Sequence, residues 1–121
     1  VHRPDETAEG HMLTVILNDQ VVVEYDRRNR LPGQQRRFFE QMDADMDAGI
    51  QLGEHHIENP DRSQRSYYVA MNLVRAVLNH NENLKTMTCG YLGLHDENLS
   101  KIIAQAGDEQ VSMQLVYQVE E

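Results

Sequence analysis

The sequence predicts an α+β domain: a small, mainly antiparallel sheet, made of an N-terminal hairpin and a C-terminal strand, covered on one face by about four helices. Three observations carry that expectation. The β-rich run LTVILNDQVVVEY lies near the start, strict alternation appears near the end in VSMQLVYQV, and the stretch between them spaces its apolar residues at three and four. Strands at both ends pair most simply with each other, leaving the helices to cover one face while the other stays polar.

The elements follow in order. Residues 1–11 are polar and aperiodic, and Gly10-His11-Met12 reads as an artificial junction ahead of a natural start at Met12, so this flexible arm is set aside. Leu13 to Leu17 and Val21 to Tyr25 form the hairpin, with Asn18-Asp19-Gln20 as its turn. Leu13, Val15 and Leu17 share one face, and Val21, Val23 and Tyr25 continue the alternation. Asp26 to Gly33 is a connector, broken at Pro32-Gly33 before a helix from about Gln34 to Ala48 with Phe39, Met42 and Met46 inward and Gly49 as a left-handed stop.

Asn59 as cap and Pro60 at the first helical position open a long helix to Asn79. Its stripe is Tyr67, Met71, Val74 and Leu78, widened by Ala70, Leu73 and Val77, with Arg62, Arg65 and Arg75 on the wetter side. After the polar turn His80-Asn81-Glu82-Asn83, Leu84, Met87 and Tyr91 stripe a shorter helix weakened by Gly90. Asp96 caps a fourth, turning Leu99, Ile102 and Ile103 inward and ending at Gly107. Val111, Met113, Leu115, Tyr117 and Val119 then face one way on a strand and Ser112, Gln114 and Gln118 the other.

With 121 residues and 40% apolar content, the expectation is a single domain over residues 12–121. Twenty acidic against eleven basic side chains give a net charge of −9, which repels a nucleic-acid backbone and offers nothing polybasic to a membrane. A cytoplasmic protein is expected, with neither partner. Cys89 is the only cysteine, so no internal disulfide forms and the bland reading is a buried, inert thiol.

The chemistry-bearing candidates cluster in the middle. MDADMDAGIQLGE places Asp43, Asp45, Asp47 and Glu54 at the first, third, fifth and twelfth places of a loop, a spacing that resembles the calcium-binding loop of an EF-hand. The resemblance covers a dozen residues and departs at the turn, where Ala48 stands in place of glycine and Gly49 comes one place late. Pro60 also leaves no room for the exit helix. The competing reading puts the aspartates on the solvated end of a helix, where they oppose the dipole and Asp43 repels Asp47. Just upstream, Arg27, Arg28, Arg30, Arg36 and Arg37 gather five of the eleven basic residues.

This dipolar middle predicts a non-catalytic interaction or oligomerisation module that needs no cofactor and meets a protein partner or a second copy, as in a symmetric homodimer. Its contact residues are Arg27, Arg28, Arg30, Arg36, Arg37, Asp43, Asp47 and Glu54. The alternative is a divalent metal ion held by Asp43, Asp45, Asp47 and Glu54. An enzyme site near His55, His56 and Glu58 has no reaction attached to it, and adjacent histidines, which diverge on either a strand or a helix, are poorly placed to grip one metal together. No family is recognised across the chain.

Overall fold

The computed structural model describes residues 12–28 and 35–118. The N-terminal arm, Arg30, the break at Pro32-Gly33, the helix start at Gln34 and Val119, all part of the sequence reading, lie outside them. The described elements are β1 (Met12–Leu17), β2 (Gln20–Asp26), α1 (Gln35–Asp47), β3 (Ile50–Leu52), β4 (His55–Ile57), α2 (Arg62–Leu78), α3 (Glu82–His95), β5 (Leu99–Ala106) and β6 (Val111–Tyr117). The protein is α+β. It differs from expectation in having, among the described residues, three helices, a mixed four-stranded sheet and a separate two-stranded ribbon. Two compact units contain these elements: residues 12–28 with 93–118, which hold the sheet, and residues 35–92, which hold α1, the ribbon, α2 and most of α3.

In the sheet unit the strand order is β2-β1-β5-β6. β1 and β2 pair antiparallel, as do β5 and β6, while the central β1 and β5 run parallel. The last strand therefore does not join the opening hairpin, because β5 stands between them. The sequence reading assigned β5 to a helix on the spacing of Leu99, Ile102 and Ile103. A bulge produces that spacing instead: Leu99 pairs with Tyr117 and Lys101 with Val116, so Ser100 is an extra residue that resets the alternation. Leu99, Ile102 and Ala104 consequently are all buried.

The hairpin matches its expectation on β1, where Leu13, Val15 and Leu17 are buried in alternation with half-exposed neighbours. On β2 a register shift leaves Val22 extra, since Val15 pairs with Val23 and Ile16 with Val21. Val21 loses the parity of Val23 and Tyr25 and stands 56% exposed. The turn is the two residues Asn18 and Asp19, at φ 50° and 67°, a backbone these side chains tolerate and one whose twist suits a hairpin. Asn18 also stitches the turn to β5, donating its N–H to the Ala104 carbonyl and accepting the Ala106 N–H on its side chain, each at 2.9 Å.

In the helical unit α1 buries Phe39, Met42 and Met46, the stripe its period dictates. It ends at Asp47. Gly49 follows at φ +112°, and a Cβ there would stand 2.8 Å from the His56 imidazole. β3 and β4 then form a ribbon joined by Gly53 and Glu54, a turn that uses the positive φ of Gly53. Strands of three residues are too short to show a period, so sequence alone shows a loop here.

α2 starts later than expected. Asp61, not Asn59, is its cap: the Asp61 carboxylate accepts the Gln64 N–H and the Gln64 side chain accepts the Asp61 N–H, both at 2.8 Å. Pro60 precedes the cap and is buried. The buried face comprises Ser66, Val69, Ala70, Leu73, Val74 and Ala76, rotated from the expected stripe so that Leu78 is exposed and Tyr67 and Met71 are half-buried.

The Asn81 side chain caps α3 by accepting the Leu84 N–H at 3.1 Å. Met87 to Leu92 are six consecutive buried residues, so this helix is enclosed on every side and has no stripe to read. It continues through Gly90 and Gly93. At Gly93 a Cβ would lie 3.2 Å from the Tyr25 ring and 3.3 Å from the Arg27 stem, so glycine there permits the close approach of Tyr25 and Arg27. Among the described residues no helix is long and apolar enough to cross a membrane.

Gly49 makes two demands at once, a positive φ and room for His56. Substituting Gly49→Ala should therefore lower stability by roughly 1–2 kcal/mol, from backbone strain and the displaced imidazole. A urea unfolding midpoint equal to that of the parent protein would contradict this account.

Candidate interaction surface

α1 carries its charges against its own dipole. Arg36 and Arg37 occupy the first turn, where backbone N–H groups already make the end positive, and Asp43, Asp45 and Asp47 occupy the end that is already negative. Each such placement costs about 0.3–1 kcal/mol at low ionic strength. Something must offset it.

At the acidic end the compensation comes from within the helical unit. Asp47 forms an ion pair of 2.7 Å with Arg65 of α2, whose Nε–H also donates to the Pro60 carbonyl at 3.0 Å. Asp45 accepts a bond from Gln41 one turn earlier at 2.9 Å. Asp43 accepts the Tyr91 hydroxyl at 2.5 Å, and the Tyr91 ring packs edge-on against Phe39 with centroids 5.4 Å apart. Burial, and then the bond to Asp43, push the Tyr91 hydroxyl well above its ordinary value, so it stays a donor. The sequence reading placed Arg65 only on the wetter side of its helix. Its partner is eighteen residues away, and a separation of that length leaves no local signal.

The basic end is different. Arg36 and Arg37 are exposed, and among the described residues neither has a hydrogen-bond or ion-pair partner. Glu40, Asp45 and Asp47 are exposed on the same helix, as is Glu54 in the ribbon turn.

The other two described arginines of the sequence cluster lie in the sheet unit and have internal roles. Arg27 is half-buried, and its guanidinium donates to the carbonyls of Met12, Asp96 and Leu99. Burial pulls it below the ordinary arginine value while the charges of Asp96 and Glu97 hold it up, and its buried Nε–H has no partner among the described residues. Asp96 is buried too, accepting the Tyr117 hydroxyl at 2.8 Å. Arg28 folds back on Asp26 in a two-point contact at the surface, with bonds of 3.0 and 2.7 Å.

The metal reading meets a helix. Asp43, Asp45 and Asp47 lie on α1, and the Ala48 N–H still bonds to the Ala44 carbonyl, so these residues form helix where an EF-hand needs an open loop. Glu54 sits in the ribbon turn. Among the described residues no three His, Cys, Asp or Glu converge where they could hold a metal ion. His55 and His56 are neighbours on β4, both exposed, and point to opposite sides of the ribbon. Cys89 is 1% exposed, and burial pushes its thiol up to about 12, which leaves no reactive thiolate at neutral pH.

Two outcomes test these assignments. Arg27→Ala should cost roughly 2–3 kcal/mol, because three carbonyls lose a charged donor, whereas Arg28→Ala should stay within about 0.5 kcal/mol, as exposed ion pairs do. Equal denaturation midpoints for the two variants would overturn the distinction. Tyr91→Phe should cost roughly 1–2 kcal/mol by leaving Asp43 without its donor. Because the folded protein holds the Tyr91 proton more tightly than the unfolded chain, this contribution is complete below the free tyrosine value and is lost as pH rises beyond it. The parent should therefore lose stability in alkali more steeply than the Phe variant, a difference readable in thermal midpoints across the alkaline range.

Compared with protein-family models, curated proteins and solved structures, the chain matches none.

Proposed function

We propose that this protein is a non-catalytic interaction module, and that the solvent face of α1 docks onto an acidic surface of a protein partner or of a second copy. The observation that carries the reading is the pair Arg36 and Arg37, two exposed guanidinium groups without a partner among the described residues at the already positive end of a helix. Placing them there is unfavourable for the isolated molecule, and a carboxylate from another molecule would reverse that. Local rules broken without compensation are expected at functional surfaces.

The chain's own acids make a second copy a candidate partner. At −9 it offers acids in abundance, and α1 itself exposes Glu40, Asp45 and Asp47. Two copies of α1 laid antiparallel would bring Arg36 and Arg37 of one beside Asp45 and Asp47 of the other, an isologous contact in which each helix answers its neighbour's charge. Electrostatic pairing of this kind contributes orientation and encounter rate as well as affinity.

Sedimentation across a salt series is the direct test. Association through α1 should weaken as salt screens the pairs, and reversing both charges with Arg36→Glu and Arg37→Glu should weaken it about tenfold or more. Association indifferent to both changes would remove α1 as the docking surface.

A further inference from the structure

The two edges of the four-stranded sheet are treated differently. β2 is guarded: it carries Glu24 and Asp26, its pairing is bent by the extra residue Val22, and Arg28 folds across its end onto Asp26. Charges and bulges are how edge strands avoid pairing with other molecules. β6, the opposite edge, has none of these. VSMQLVY contains no charge, no proline and no glycine, and the bulge in its pairing lies on β5.

Backbone direction on β6 follows from several independent bonds. Ala104 and Ala106 turn their groups toward the β1 side, where Asn18 meets both, so Lys101, Ile103 and Gln105 turn theirs toward β6. Their partners there are Val116, Gln114 and Ser112. In agreement, the Val116 carbonyl accepts the Ser100 hydroxyl and the Gln118 N–H donates to the Asn98 carbonyl. By the alternation of a strand, Val111, Met113 and Leu115 direct their N–H and C=O groups outward, where no described strand meets them.

We infer that β6 pairs antiparallel with β6 of a second copy, across a twofold axis at Gln114, joining two four-stranded sheets into one of eight. This deepens the interaction reading by naming a partner, but it rests on a different surface from α1. The register is self-complementary. With Gln114 opposite itself, Met113 faces Leu115, Val111 faces Tyr117 and Ser112 faces Val116, so the outward groups of Met113 and Leu115 exchange bonds while every side chain keeps its face. No charge meets its like along the seven residues, whereas pairing β2 with its copy would crowd Glu24 and Asp26 against their counterparts. The contact also closes, because each copy uses the unguarded edge of its described four-stranded sheet and the guarded β2 edge does not extend the sheet into a fibre. Each copy carries a net charge of −9, so salt, by screening the repulsion between copies, should favour this pairing, the reverse of its effect on α1.

The test uses the full chain in sedimentation equilibrium, with three variants. Met113→Pro removes an outward donor that the monomer does not use, and Gln114→Lys or Gln114→Glu, at an exposed position, sets like charges against each other across the axis. The parent should dimerise more tightly as salt rises. Each variant alone should lose dimer at least tenfold, and an equimolar mixture of the Lys and Glu variants should recover it as a mixed dimer. A parent that stays monomeric at about 100 micromolar would overturn the inference. A dimer untouched by all three variants would overturn it too. If the dimer instead falls to the Arg36 and Arg37 reversals alone, the β6 pairing fails while the α1 reading stands, and the opposite pattern removes α1 while β6 stands.

Discussion

The parallel pairing of β1 with β5 is the constraint from which the rest of this structure follows. Antiparallel neighbours can be joined by two residues, but a strand parallel to β1 must begin at the end of the sheet where β1 begins, and β2 has brought the chain back to that end. Residues 27–98 run from there to the start of β5 on the other side of β1, and they contain every helix described. The inner pair is fastened at both ends. Arg27, the first residue after β2, reaches the carbonyls of Met12 at the start of β1 and of Asp96 and Leu99 at the start of β5. At the far end Asn18 bonds to Ala104 and Ala106. One half-buried cation and one turn asparagine thus define the register on which both hairpins hang. The cost is a buried Nε–H with no described partner, which a side chain making three other contacts can sustain.

Much of this was legible in the chain. The period of α1, the alternation of β1 and the half-buried strand β6 follow from apolar spacing alone, and the buried residues Leu13, Val15, Phe39, Met42 and Met46 are those the spacing picks out. What escaped has identifiable causes. β5 was disguised by its bulge, since an extra Ser100 turns a period of two into a spacing of three that imitates a helix. The enclosed middle of α3 has no polar face to reveal its orientation, and the β3–β4 ribbon is too short to have a period. A capping box at Asp61 and Gln64 was written in the sequence but hidden behind the stronger punctuation of Asn59-Pro60.

The candidate surface was legible only as composition. Five arginines followed by a run of acids suggest one dipolar patch, yet the structure divides them by task. Arg27 serves the sheet, Arg28 neutralises its neighbour Asp26, and Asp43 and Asp47 are answered by Tyr91 and Arg65. Sequence distance explains the failure to foresee this: Asp43 and Tyr91 are forty-eight residues apart, and Arg27 and Leu99 seventy-two. A charge pattern reports what a segment carries and not what meets it.

That division sharpens where another molecule would bind. Compensation inside the helical unit is one-sided, present at the negative end of α1 and absent at the positive end among the described residues, although both ends oppose the helix dipole by comparable amounts. Protection of the sheet is one-sided in the same sense, with acids and a bulge on β2 and neither on β6. If the acidic residues served only to keep an acidic protein dispersed, both edges would be expected to share them. Instead the chain withholds charge from seven consecutive residues of an edge strand whose alternate backbone groups face outward, and leaves two arginines exposed without partners among the described residues. An unmatched charge and an unmatched strand edge are each unfavourable for an isolated molecule, and both are relieved by the same event, contact with another protein surface.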